Sequence, residues 1–72
     1  MLAAPGDKGQ VLLFTELLRD KDNTVRRDAA EALGGLGRAA KSAVPILTKT
    51  LQDVDEDVRK AATGALEKIQ KK

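Results

Sequence analysis

Two stretches of the chain decide its fold: residues 11–37 read VLLFTELLRDKDNTVRRDAAEALGGLG, and residues 44–70 read VPILTKTLQDVDEDVRKAATGALEKIQ. They align without a gap at an offset of 33 residues, and ten aligned pairs are identical. These pairs are Val11/Val44, Thr15/Thr48, Leu18/Leu51, Asp20/Asp53, Asp22/Asp55, Val25/Val58, Arg26/Arg59, Ala29/Ala62, Ala32/Ala65 and Leu33/Leu66. A period of this size is the signature of structural units that stack on one another. The sequence therefore predicts two copies of one small unit.

The first copy is predicted to form two helices joined by an acidic turn. Apolar residues at spacings of three and four indicate a helix from about Gly9 to Arg19. Asp22 is a suitable N-cap for a second helix that begins at Asn23. Glycines at positions 34, 35 and 37 end that helix.

The second copy repeats this arrangement after a connection over residues 38–41. Ser42 is expected to cap a third helix, and Pro45 is tolerated in its first turn because no intrahelical N–H bond is lost there. Another acidic turn precedes a fourth helix. The predicted core comprises Val11, Phe14, Leu17, Leu18, Val25, Ala29, Ala32, Leu33, Leu36, Val44, Leu47, Leu51, Val58, Ala62, Ala65, Leu66 and Ile69.

Composition narrows the classes of function. The 72 residues include no Cys and no His, and Phe14 is the only aromatic residue. Catalysis by a Ser–His or Cys–His pair is therefore excluded, as are disulfides and thiolate metal sites. The net charge of +2 within a charged fraction of 33% is too balanced to indicate a nucleic-acid partner. No run approaches the roughly 18 apolar residues of a membrane span, and the absence of cysteine fits a cytoplasmic location.

At this level of detail the chain resembles a known repeat family. Residues 40–66, AKSAVPILTKTLQDVDEDVRKAATGAL, are similar to a HEAT repeat, and most similar to the short HEAT-like repeats of the phycobilisome-lyase type. The shared features are Pro45 in the first helix, Asp53 at the turn, and Val58-Arg59 followed by alanines. The first copy has the same features except for Leu12, where the family favours proline.

The resemblance implies an all-α fold, an α-solenoid fragment of two HEAT-like hairpins whose four helices form a right-handed superhelical stack. It also implies that the turn aspartates and the arginines after valine form a polar ladder between repeats. In this sequence those residues are Asp20, Arg26, Asp53 and Arg59. Their predicted role is structural.

The acidic turns and the glycine cluster each share some features with known ligand-binding loops. Oxygen-bearing side chains alternate from Asp20 and from Asp53, as in a calcium loop, but Val25 and Val58 occupy the sixth position, where the loop needs glycine. The acids are better explained as helix caps. Gly34-Gly35-Leu36-Gly37 closes a helix, whereas a phosphate-binding loop opens one. We therefore expect no catalytic residue, metal or cofactor.

The predicted function is that of a non-catalytic module for protein–protein interaction or scaffolding. Its expected contact surface is the exposed side of the second helix of each hairpin: Arg27, Asp28, Glu31, Lys60, Thr63 and Glu67. One alternative is an accessory subunit or fragment of a bilin-lyase-like enzyme, and another is weak binding to a nucleic-acid backbone.

The organisation predicted from the repeats has three parts. Residues 1–8 are a stub or the remnant of a repeat junction, residues 9–37 are the first HEAT-like repeat, and residues 38–72 are the second. Arrays of this kind generally need three or more units. Surplus apolar surface on both hairpins predicts self-association, and the residues that supply it are Leu12, Leu13, Leu17, Ile46 and Val54. A symmetric dimer is the favoured form, and an exchange of hairpins through residues 34–41 is the alternative.

Overall fold

A computed structural model describes residues 8–70, which form four α-helices and no β-strand. Helix α1 spans Lys8–Leu17 and α2 spans Asn23–Gly35. Helix α3 spans Val44–Thr50 and α4 spans Glu56–Gln70. The predicted all-α fold is confirmed. Of the stub predicted over residues 1–8, residues 1–7 lie outside the described part of the chain.

The turn of the first hairpin, between α1 and α2, is closed by its aspartates. The Asp20 Oδ1 atom accepts a hydrogen bond from the Asp22 N–H at 2.8 Å, and Asp22 Oδ1 accepts one from the Thr24 N–H at 2.8 Å. Asp22 is the N-cap of α2, as predicted. After α2 the chain reverses at Gly37, whose φ of 59° lies in the left-handed region that glycine adopts without strain.

The connection between the hairpins differs from the prediction. Residues Gly37–Ala43 form a 3₁₀ segment with a kink at Ala40, and the segment leads directly into α3. Ser42 was expected to cap α3, but the N-cap residue is Ala43, and it makes no side-chain capping bond. The Val44 N–H instead donates to the carbonyl of Lys41, so the 3₁₀ turn itself supplies an acceptor that a serine would have provided. Pro45 lies in the first turn of α3, as predicted.

The core lies between the hairpins, where α2 and α4 make the most extensive helix–helix contact. Its buried apolar residues are Val11, Leu18, Ala29, Ala30, Leu33, Ala40, Ala43, Leu47, Val58, Ala62, Ala65 and Ile69. Ala30, Ala40 and Ala43 were not among the predicted core residues. A Cβ atom built on Gly34 would lie 2.9 Å from the Cα of Ala65. The two helix backbones are therefore in near contact at this point.

Several predicted core residues lie at the edge of the core. Leu66 is only half-buried, whereas its counterpart in the first hairpin, Leu33, is completely buried. Val25 and Ala32 are half-buried as well, although their counterparts in α4 are buried. No helix within residues 8–70 is long and apolar enough to cross a membrane.

Candidate interaction surface and inter-repeat ladder

A bidentate ion pair between Arg26 and Asp53 joins the two hairpins. Arg26, near the start of α2, donates from Nε to Asp53 Oδ2 at 2.8 Å and from Nη2 to Asp53 Oδ1 at 3.1 Å. The Nη1 atom of the same guanidinium donates to the carbonyls of Asp20 and Lys21, at 2.7 and 3.0 Å. The Arg26 side chain therefore forms hydrogen bonds to the turn of its own hairpin and to the turn of the second hairpin.

Among residues 8–70, the guanidinium of Arg59 contacts the turn of its own hairpin but forms no ion pair with another hairpin. Its Nη1 donates to the carbonyl of Asp53 at 2.7 Å, as Arg26 does to Asp20. Asp20 uses its carboxylate within its own turn and forms no ion pair among the described residues. The structure therefore brings Arg26, Asp53 and Arg59 together, while Asp20 contacts Arg26 only through its carbonyl.

A second polar contact runs beside the ladder. The Asn23 Nδ2 atom donates to Asp55 Oδ2 at 2.7 Å, and Asp55 Oδ1 accepts from the Val58 N–H at 3.0 Å. Asp55 thus caps α4 while it binds the first hairpin. The repeat pattern does not indicate this role for Asn23, since Glu56 occupies the equivalent position in the second copy.

The ladder shifts the ionisation of both partners. Hydrogen bonds from Arg26 are the main cause that lowers the pKa of Asp53 below its usual 3.8, and the bond from the Asp55 N–H lowers it further against the effect of desolvation. The same hydrogen bond raises the pKa of Arg26. Both side chains are largely covered, with 13% of the Arg26 side chain and 12% of the Asp53 side chain exposed.

A groove of about 520 Å³ follows the seam between α2 and α4. Its charged lining comprises Arg27, Glu31, Asp57, Lys60 and Lys68, and its uncharged lining comprises Gly34, Ala61, Gly64 and Ala65. Gly64 leaves open space in the groove, because a Cβ atom built there meets nothing within 4 Å. The groove therefore has small residues along it and charges of both signs.

Three of the six residues predicted for the contact surface line this groove: Arg27, Glu31 and Lys60. Asp28, Thr63 and Glu67 are exposed but do not line it. Asp28 forms an exposed ion pair with Arg27 at 3.3 Å. The groove also contains Asp57, Gly64 and Lys68, which were not among the residues predicted for this surface.

The described residues contain no cluster of three or more His, Cys, Asp or Glu side chains that could hold a metal ion. Each hydroxyl of Thr15, Thr48, Thr50 and Thr63 donates to a backbone carbonyl one helical turn earlier. These hydroxyls are thereby engaged in local structure.

The fold and the ladder define a fragment of an α-solenoid in which two helical hairpins stack through their second helices. The family model for HEAT repeats matches residues 1–72, the whole chain. The chain belongs to the HEAT repeat family, whose members are typically scaffolds and protein-interaction modules without enzymatic activity. The match identifies the family without distinguishing the phycobilisome-lyase-type subgroup.

Two curated proteins are similar to the chain. A HEAT repeat-containing taxis protein of Halobacterium salinarum is 42% identical over 59 residues, which are 81% of this chain and 14% of that protein. The Holliday junction branch migration complex subunit RuvA of Oleidesulfovibrio alaskensis is 47% identical over 49 residues, 67% of this chain and 24% of that protein. The chain thus spans less than a quarter of either relative's length. No solved structure matches it at comparable significance.

The ionisation of Asp53 gives a testable pH dependence. We expect Asp53→Asn to lower the melting temperature near neutral pH, because asparagine keeps an acceptor for the Asp55 N–H but loses the charged partner of Arg26. The pKa of Asp53 is lower in the folded chain, so its contribution to stability is complete above 3.8 and is lost as the pH falls through the folded-state value. The gap between the two melting temperatures should therefore shrink on acidification. Thermal melts followed by circular dichroism from about pH 7 to about pH 2 measure it.

The matched control is Glu56→Gln. Glu56 pairs with Lys60 at 3.6 Å, and both side chains are largely exposed, so we expect a change within about 1 kcal/mol. A gap between wild type and Asp53→Asn that is the same at every pH would contradict a role for the charge.

Proposed function

We propose that this chain is a non-catalytic scaffold module and that the groove between α2 and α4 binds a segment of a partner protein. The observation that carries this proposal is the convergence of Arg27 and Glu31 from one hairpin with Lys60 and Lys68 from the other. The groove exists only when the hairpins are stacked. A partner held there would recognise the folded pair of repeats, not one helix.

The lining favours a polypeptide over a small molecule. Sites for small ligands and cofactors are mostly lined by apolar and aromatic side chains. This groove has five charged residues, and its other lining residues are only glycine and alanine. Small residues allow a backbone to approach closely, while charges of both signs fit a segment that carries charges in a matching order. We therefore infer a partner segment with both acidic and basic side chains.

The relatives support a general scaffold role. One is by its name a taxis protein and the other is a subunit of a branch migration complex, and each contains a similar stretch within a much longer chain. A repeat found in proteins with such different names fits a module that contributes a binding surface. The particular partner would differ from one protein to another.

A matched pair of variants tests the groove. Gly64→Gln places a long side chain in the groove, whereas Thr63→Gln places the same side chain on the neighbouring position outside it. Proteins from an extract are captured on immobilised wild type and on each variant, with and without prior nuclease treatment, and are quantified by mass spectrometry. We expect at least one protein to bind wild type and Thr63→Gln and to be lost by about tenfold or more with Gly64→Gln, a loss of about 1.4 kcal/mol in binding.

Other outcomes would exclude this function. Equal capture by the two variants would show that binding does not use the groove. Captured material that disappears with nuclease, with a steep dependence on salt, would indicate nucleic-acid backbone binding. A coloured chromophore on the captured proteins would point to the lyase-accessory role.

We also propose that the chain forms a homodimer in the cytoplasm. Support for the dimer comes from α1, where Leu12 and Leu13 are 65% and 56% exposed. Apolar side chains next to each other on one helix favour burial against a partner. We further propose that the chain belongs to the phycobilisome-lyase-type subgroup, because Pro45 and the repeat pattern resemble that type.

A further inference from the structure

The two hairpins have the same order of helices and turns, but each is covered by the other on a different side. Comparing the burial of residues 33 positions apart therefore shows which side of each hairpin faces the other. A position buried in one hairpin and open in the other is covered by the opposite hairpin. We call the side of the first hairpin that meets the second its forward face. The side of the second hairpin that meets the first is its rear face.

The forward face of the first hairpin comprises Asn23, Arg26, Ala30, Leu33 and Gly34. Ala30 and Leu33 are completely buried, and Gly34 is held against the backbone of Ala65. Asn23 and Arg26 supply the hydrogen bonds to Asp55 and Asp53. In the second hairpin the equivalent residues are Glu56, Arg59, Thr63, Leu66 and Glu67. Only the arginine and the leucine are retained.

The rear face of the second hairpin comprises Asp53, Asp55, Val58 and Ala65. The two aspartates accept the inter-repeat bonds, while Val58 and Ala65 are 0% and 3% exposed. In the first hairpin the equivalent residues are Asp20, Asp22, Val25 and Ala32. All four are identical to their counterparts, yet Val25 and Ala32 are half-buried and the Asp20 carboxylate forms no ion pair among the described residues.

From this contrast we propose that one end of the stack can bind a further hairpin and the other cannot. The rear face of the first hairpin is the open face, and the forward face of the second hairpin is the closed face. The rear face of the first hairpin receives a further helical hairpin of the same repeat type. That hairpin would present an arginine to Asp20, an amide side chain to Asp22, and a glycine–alanine strip to Ala32. We infer this occupant because the same residues already form the interface between the two hairpins. The carboxylates of Asp20 and Asp22, which form no ion pair among the described residues, complement the occupant's arginine in charge.

The forward face of the second hairpin cannot stack on the rear face of another copy, for two physical reasons. Glu67 stands where Gly34 lies, at a point where even a Cβ atom would be 2.9 Å from the opposing backbone. Glu56 stands where Asn23 lies, so it would meet an aspartate with a like charge in place of a hydrogen bond. Copies of the chain therefore do not add head to tail, and a heterologous contact that would grow without limit is avoided.

Converting the closed face into an open one tests the inference. The triple variant Glu56→Asn/Thr63→Ala/Glu67→Gly gives the second hairpin the forward face of the first, without touching the groove charges. In sedimentation velocity we expect wild type to reach at most two copies of the 7.7 kDa chain at any concentration. The variant should exceed two copies and grow with concentration. Adding Asp20→Asn, which keeps an acceptor for the Asp22 N–H, should reduce that growth.

The outcomes are separable from those of the groove. A folded triple variant whose mass stays at or below two copies overturns the proposal, as does wild type that grows beyond two copies, whereas neither result bears on capture in the groove. If circular dichroism shows that Glu67→Gly has unfolded α4, Gly64→Ala is added to the triple variant. This substitution raises the helix propensity of α4 at a position where a Cβ atom meets nothing within 4 Å. A lack of assembly by that folded variant would also overturn the proposal.

Discussion

Leu33→Ala and Leu47→Ala are each expected to leave the chain largely unfolded at room temperature. Both leucines are completely buried, and they belong to different hairpins, in α2 and α3. Removing such a side chain costs about 2–5 kcal/mol through lost burial and the cavity that remains. A single core in a chain of this size rarely supplies more than about 3–5 kcal/mol. Helix content from circular dichroism and a urea titration measure the loss.

Two other leucines give a graded comparison. Leu12 is 65% exposed, so Leu12→Ala should unfold within about 0.5 kcal/mol of wild type. Leu66, which the repeat pattern places in the core, is half-buried, and Leu66→Ala should fall between the two cases. If Leu66→Ala proved as damaging as Leu33→Ala, the edge of the core would have been wrongly placed.

The helices could be predicted from the repeat because their ends are determined by residues close to them in sequence. Asp22 caps α2, Pro45 opens α3 and Gly37 reverses the chain, all through contacts within a few residues. The connection between hairpins was less predictable. Ser42 has the right side chain for a cap, but the 3₁₀ turn before α3 already offers a carbonyl, and the sequence pattern does not show that competition.

The same limit applies to burial and to the candidate site. The repeat pattern leaves Ala30 out of the predicted core and includes Leu66, yet Ala30 is buried and Leu66 is half-buried. Which side of a helix is covered depends on the neighbouring hairpin. Because each hairpin has the other on a different side, equivalent positions in the two copies differ in burial. The pattern could predict that Arg27, Glu31 and Lys60 face outward. It could not predict that they border a groove with Gly64, because that depends on how closely α2 approaches α4.

Adding one methyl group at two glycines should change stability in opposite directions. Gly64 lies inside α4, and a Cβ atom there meets nothing within 4 Å. Gly64→Ala should therefore raise the free energy of unfolding by about 1 kcal/mol through helix propensity. At Gly34 the same Cβ atom lies 2.9 Å from the Ala65 Cα and 3.2 Å from its Cβ. Because the nearest obstacle is backbone, α2 and α4 must separate, and overpacking of this kind costs about 1–3 kcal/mol.

Thermal unfolding of the two variants measures the contrast, since about 1 kcal/mol corresponds to about 4–8 °C in a domain of this length. Equal and favourable shifts for both variants would show that the helices do not approach as closely at Gly34 as the structure places them. The near contact at Gly34 is also the reason that a glutamate at the equivalent position, Glu67, can close the far end of the stack.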